Sequence, residues 1–185
     1  VRVTIRRSGI ACGLAAVIAA SGCNPRPLHP LATPSPAATS AGGVPPLRFH
    51  EQGTPAHPLV FVFERGGRVL YRLRALSEDG TQRNGVVRAV FWRVTATFFG
   101  RNGNAVTARA PRAIVDERTD RVILDGGVQA TTGTGLAVRA RRMIYDRGTD
   151  TLHGEGDVVM TDARGMRVTG TRFDGDLSLA HVVVR

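Results

Sequence analysis

The sequence predicts an all-β domain stacked from repeats of about 30 residues, on three observations. Apolar residues alternate with polar ones in Val69, Tyr71, Leu73 and Ala75, then in Val90, Trp92, Val94, Ala96 and Phe98, then in Val106, Ala108 and Ala110. A period of two belongs to strands with one buried face. Turn-forming clusters recur as "EDG", "RNGN", "DERTD", "LDGG", "TGTG", "DRGTD" and "DARG". The chain also repeats itself. "VTARAPRAIVDERTD" at 106–120 and "LAVRARRMIYDRGTD" at 136–150 share seven of fifteen positions. The same offset links Ala140 to Gly170, Asp146 to Asp176, Leu136 to Met166 and Arg142 to Arg172. A shorter copy, "GRVLYRLRA", precedes these at an offset of 35, which places Ala75 with Ala110.

Residues 1–22 read as a signal sequence. Arg2, Arg6 and Arg7 precede the short apolar run "GIACGLAAVIAA", about half the length a membrane-spanning helix needs. "ASGC" then ends at Cys23, as in the lipobox of a bacterial lipoprotein signal. The chain has two cysteines, and Cys12 would leave with the signal, so Cys23 has no intramolecular disulfide partner. Acylation of Cys23 is the reading that gives it a use. Ordinary cleavage near Ala19–Ser21 would leave a soluble chain instead.

Residues 23–57 are dense in Pro, Ala, Ser and Gly, and read as a linker behind the lipidated cysteine. Residues 58–185 form the folded part. "PLVFVFERGGRVLYRLRA" carries two apolar runs split by Arg65-Gly66-Gly67, a hairpin signal. Each later repeat holds about three short strands. Its A-x-x-[AMF] step, from Ala110 to Ala113, Ala140 to Met143 and Gly170 to Phe173, breaks the alternation as a β-bulge or corner does. Pro111 sits inside that irregularity. "AHVVVR" supplies an end strand whose open edge invites another chain.

The inward positions are Tyr71, Leu73, Val106, Ala108, Ala110, Leu136, Val138, Ala140, Met143, Tyr145, Met166, Val168 and Phe173. They line either a path for an apolar ligand or a dry core. Asp116, Asp146 and Asp176 stand at repeat spacing, where Asp caps turn N–H groups; a stacked Ca²⁺ site is the sharper alternative. Arg112, Arg142 and Arg172 form a solvated row, or a rim that meets phosphate.

Every basic residue is Arg, and the formal charge is +10. The arginines are spread along the chain with few aromatics between them, which argues against nucleic acid. The motifs HExxH and GxSxG and paired cysteine ligands do not occur, and His29, His50, His57, His153 and His181 show no ligand spacing. No catalytic residue, metal or cofactor is expected, and an enzyme is not.

"GRVLYRLRA", "FFGRNGNAVTARA" and the stretch from "DRVILDGGVQATT" to "TRFDGD" resemble, in order and spacing, the OstA-like β-jelly-roll family and its LptC branch. The resemblance spans about Leu59 to Val184. It implies a slit-opened stack of antiparallel strands that passes lipopolysaccharide without chemistry. In that reading Tyr71, Leu73, Val106, Ala108, Leu136, Val138, Ala140, Met143, Tyr145, Met166, Val168 and Phe173 line the lipid groove. The implied partners are an inner-membrane LptBFG-type ABC transporter and an LptA-like periplasmic bridge. The expected place is the periplasm, with a lipid anchor at Cys23 in the inner membrane. The better-known relatives carry a transmembrane helix there instead. The alternative of another class is a structural or adhesive β-solenoid lipoprotein on the cell surface.

Overall fold

The computed structural model describes residues 2–5, 46–179 and 182–185. Cys23 and most of the signal and linker stretches lie outside these residues. Twelve strands form one antiparallel sheet: β1 Arg2–Ile5, β2 Leu47–Gln52, β3 Leu59–Arg65, β4 Arg68–Ala75, β5 Ser77–Arg83, β6 Val86–Phe99, β7 Ala105–Asp116, β8 Arg121–Thr132, β9 Ala137–Asp146, β10 Thr151–Thr161, β11 Arg167–Asp176 and β12 Val182–Val184. The order is β1-β3-β4-β6-β7-β8-β9-β10-β11-β12, with β5 pairing β6 and β2 pairing β5. β4 and β5 share one edge of the 14-residue β6, so they act as one long strand interrupted at Leu76.

The fold is all-β, as expected, and its architecture is that of a β-jelly-roll. The strands are longer than the sequence suggested. β6 to β11 run from 10 to 14 residues, two strands to each 30 residues instead of three short ones. The corner that reads as a strand end lies inside each strand. Asp116, Asp146 and Asp176 close β7, β9 and β11. Each accepts a backbone N–H, from Arg118, Gly148 and Ser178 respectively, so the capping reading holds for all three.

The corner runs across the sheet. On β7 the inward positions are 106, 108 and 110, then 113 and 115, with Pro111 and Arg112 both exposed. β9 repeats this around Arg141 and Arg142. The extra residue is on the neighbours. Between matched positions β7 advances from Arg109 to Arg112 while β8 advances from Asp125 to Gln129. β10 likewise takes an extra step against β9 between Glu155 and Val159. The bulges are therefore on β8 and β10, not on the A-x-x-[AMF] strands. Gly126 and Gly127 absorb the β8 bulge at φ 92° and 95°, a region that side chains disfavour. A Cβ on Gly126 would also lie 3.2 Å from Pro111 Cγ.

This explains why two turn signals failed. "LDGG" is the β8 bulge, and "EDG" lies within β5. There Gly80 makes room for the Phe49 ring of β2, the pair directly across from it. β2 itself falls in the stretch read as linker, at Leu47 and Phe49, its apolar residues.

Beyond the corner each long strand turns back, and its two halves face each other. Phe61 of β3 meets Phe91 of β6 at 5.7 Å between ring centroids, and Tyr71 of β4 meets Tyr145 of β9 at 6.3 Å. The core is the space between the halves, and 29 apolar residues among those described are buried there.

Candidate functional site

The candidate path is the inner face of the folded sheet, and cross-strand rows build it. One half carries Leu73, Ala96, Ala108, Ala130, Val138, Met160 and Val168 in register. The other carries Glu78, Phe91, Ala113, Leu124, Met143, Gly154 and Phe173. The sequence predicts twelve groove residues. Nine of them, Tyr71, Leu73, Val106, Ala108, Val138, Ala140, Met143, Tyr145 and Phe173, are buried together between the halves. Leu136 packs against this core from its margin.

Met166 and Val168 depart from expectation, with exposures of 65% and 39%. Met166 precedes β11 in the turn from β10. Val168 ends its inward row; β12 pairs with β11 at Phe173, Asp174 and Gly175, and Arg185 continues the ladder to Arg172. Among the described residues, the inner face is thus exposed at Met166 and Val168, whereas its middle is closed.

What closes the middle is a set of contacts across the slit. One rim carries Arg65 and Arg68 at the β3–β4 hairpin and Arg101 at the β6–β7 turn. The other carries the β7–β8 and β9–β10 turns. Arg65 Nη2 bonds Asp120 Oδ1 at 2.6 Å, Arg68 Nη2 bonds Asp150 Oδ2 at 3.1 Å, and Arg101 Nε bonds the same oxygen at 3.0 Å. The Tyr145 hydroxyl donates to Asp150 Oδ1 at 2.8 Å from inside. Arg147, with its side chain 1% exposed, lies 4.4 Å above the Phe63 ring of the opposite rim and reaches Asp120 at 3.2 Å. Beneath this clasp Phe98 and Tyr145 approach to 4.5 Å.

The clasp is incompletely satisfied. Among the described residues, Arg68 Nη1, Tyr71 Oη, Arg147 Nε and Arg147 Nη1 are buried without a hydrogen-bond partner. Each such group costs about 1–3 kcal/mol. Burial alone would raise the Asp150 carboxyl, but hydrogen bonds from Tyr145, Arg68 and Arg101 outweigh it and hold the group below the usual carboxylate range. Burial, helped by Asp150, pushes the Tyr145 phenol well above its ordinary value.

Glu78 is the residue that the sequence reading passed over. It occupies the inward row at its β5 end, three residues after Ala75, as Ala113 follows Ala110. The offset of 35 that aligns Ala75 with Ala110 therefore already placed it inside. Burial, then the carboxylates of Glu51 and Asp79, raise its carboxyl to about 7. The clasp residues also escaped notice. Asp120 and Asp150 are identical across the repeat, but their partners come from turns 49 to 82 residues away. The Arg112 and Arg142 row is exposed, and both side chains share Asp125, at 3.0 and 3.5 Å.

A single antiparallel sheet folded over an apolar interior, with the slit between its rims clasped by side chains, defines a slit-opened β-jelly-roll. Residues 58–184 match the family described as lipopolysaccharide-assembly, LptC-related, and the chain belongs to that family. No curated protein matches it. Membership gives the chain a role in lipopolysaccharide transport, in a family of periplasmic, inner-membrane-associated transport components.

Two titrations follow. Asp150 has a depressed carboxyl, so its contribution is full above the unfolded value near 4 and is lost as pH falls through the lower folded value. Asp150→Asn should cost about 2 kcal/mol at pH 7. Thermal melts should show the gap from the parent chain closing under acid conditions. Glu78 has the opposite sign. Its folded carboxyl keeps a proton that the unfolded chain has lost, so stability declines between about pH 4.5 and about 7. Glu78→Gln should melt higher than the parent chain at pH 8 and equally at pH 4; equal melting at both would refute a buried carboxylate penalty.

Proposed function

We propose that the chain receives lipopolysaccharide from an LptBFG-type ABC transporter and passes it to an LptA-like bridge along the inner face of the folded sheet. The observation that carries this reading is the burial of nine predicted groove residues in one apolar interior whose slit is held by side chains alone. In this reading acyl chains enter as the clasp parts, and the interior exchanges its own packing for lipid contacts of the same apolar character. No covalent step is required. The family is one of transport components, and transfer needs only successive apolar surfaces.

The ends of the sheet support a direction for this transfer. At β11 the uncovered segment around Met166 and Val168 offers both apolar side chains and an open strand edge. A bridge protein adding a strand there would continue both the hydrogen-bond ladder and the interior. Acylation of Cys23 would anchor the chain at the inner membrane, since two acyl chains bind stably where one does not. Intact mass of the membrane-extracted protein tests the anchor: a mature chain beginning at residue 23 with added acyl mass is expected, and an unacylated one removes it.

Val138 and Arg139 are neighbours with opposite outlooks, one buried and one exposed. A photo-crosslinking residue at 138 should capture lipopolysaccharide in cells with an active transporter, and one at 139 should not. Equal or absent capture at both positions, in folded protein, would make the interior a dry core and end the transfer reading.

A further inference from the structure

The two outer faces of the folded sheet are built from the same arginine-rich repeats but are charged differently. On the half beyond the corner, acids alternate with arginines across the strands. Arg112 and Arg142 flank Asp125, Arg121 pairs with Asp146, and Arg88 lies 4.0 Å from Asp116. On the half before the corner the pattern is different. One outward row reads Val60, Arg74, Thr95, Arg109, Gln129, Arg139, Val159 and Thr169. The next reads Val62, Arg72, Thr97, Thr107, Thr131, Ala137, Thr161 and Arg167. Neither row contains any of the chain's 15 acids. Arg72, Arg74, Arg109, Arg139 and Arg167 are all exposed, and none is in an ion pair among the described residues.

We propose that this face, through Arg72, Arg74, Arg109, Arg139 and Arg167, docks on an anionic phospholipid surface. Charge complementarity selects an anionic occupant. Arginine forks match phosphate oxygens in pairs. Arg74, Arg109 and Arg139 stand two strands apart, roughly 10 Å from one to the next. That is near the Debye length at physiological salt, so each meets its own headgroup with little mutual repulsion. The residues between them separate a lipid surface from a protein. They are threonines, Gln129, an alanine and three valines, without an aromatic or a large apolar anchor. Protein interfaces concentrate their energy in such anchors. A fluid layer of phosphates requires none. The inference adds an orientation to the proposed transfer but does not rest on the interior holding lipid.

The test uses the full chain with Cys12→Ser and Cys23→Ser, so that no acyl group contributes. An environment-sensitive fluorophore is placed through Gln129→Cys on the proposed face, or through Glu155→Cys on the opposite outer face. Vesicles of phosphatidylcholine containing phosphatidylglycerol should shift the label at 129 and not that at 155, and added salt should weaken the shift. Vesicles of phosphatidylcholine alone should shift neither. Arg74→Gln, Arg109→Gln and Arg139→Gln together should raise the lipid concentration for half of the change about 100-fold, at about 1 kcal/mol per arginine. The three Arg→Lys changes should retain binding, and Arg88→Gln with Arg121→Gln should not alter it; circular dichroism verifies that each variant is folded. A shift of equal size with neutral vesicles, or an unchanged midpoint in the folded triple Gln variant, overturns the proposal. No shift with either vesicle also overturns it and leaves the face to an acidic protein surface.

Discussion

The structure depends on one constraint, the corner that crosses every long strand. A flat sheet of ten- to fourteen-residue strands would leave its apolar face in water. Shifting the inward phase by one residue at Ala110–Ala113 and Ala140–Met143 bends the sheet so that this face meets itself. The neighbouring strands supply the extra residue where backbone at positive φ is available, at Gly126–Gly127 and Gly156–Asp157. From β7 to β11 the arrangement alternates: two successive outward residues on one strand, a bulge on the next. Pro111 fits because Gly126 leaves space opposite it. A sheet closed in this way has a hinge along the corner and an opening at the far side. The location of the slit is therefore set by the location of the bulges.

Interior and slit differ in how they are held. The interior is apolar and closely packed, with the rings of Phe63, Tyr71, Phe98 and Tyr145 against one another at its mouth. The mouth is held by charges that have been taken partly out of water. Such pairs recover in attraction only part of what desolvation costs. The buried, unpartnered nitrogens of Arg147 and Arg68 and the unpartnered Tyr71 hydroxyl reduce the return further. The closed state is thus held firmly along the corner and less firmly at the rims. The proposed transfer would draw on that difference.

Family membership and geometry support each other at the level of class. The family assigns lipopolysaccharide transport, and the fold supplies an apolar interior between the halves of one sheet. The geometry adds particulars that a family name does not carry. Glu78 places a carboxyl of raised affinity for protons at the β5 end of one inward row, and Met166 and Val168 are exposed at the β11 end of the other. The two ends of the inner face therefore differ chemically. The two outer faces differ as well, one neutralised by its own ladders of ion pairs and one left basic.

Much of this was legible in the sequence. Period two and the 30-residue offset determined an all-β chain and most of its inward residues, because side-chain alternation is a local property of an extended backbone. The capping aspartates were legible for the same reason: their partners lie two residues away. Glycine was ambiguous. "EDG" and "LDGG" have turn composition, yet one makes room for an aromatic ring and the other forms a bulge, and only the neighbouring strand decides which. Strand length was misjudged because a phase shift inside a strand looks like its end. Val168 obeys the alternation and is still exposed, since burial depends on which strands lie beside and above it and not on alternation alone. The clasp was beyond the sequence altogether. Its arginines and aspartates are ordinary turn residues until the corner brings the two rims together, and that encounter joins positions up to 82 residues apart. Local periodicity determined which residues face inward; the folding of the sheet on itself decided what they face.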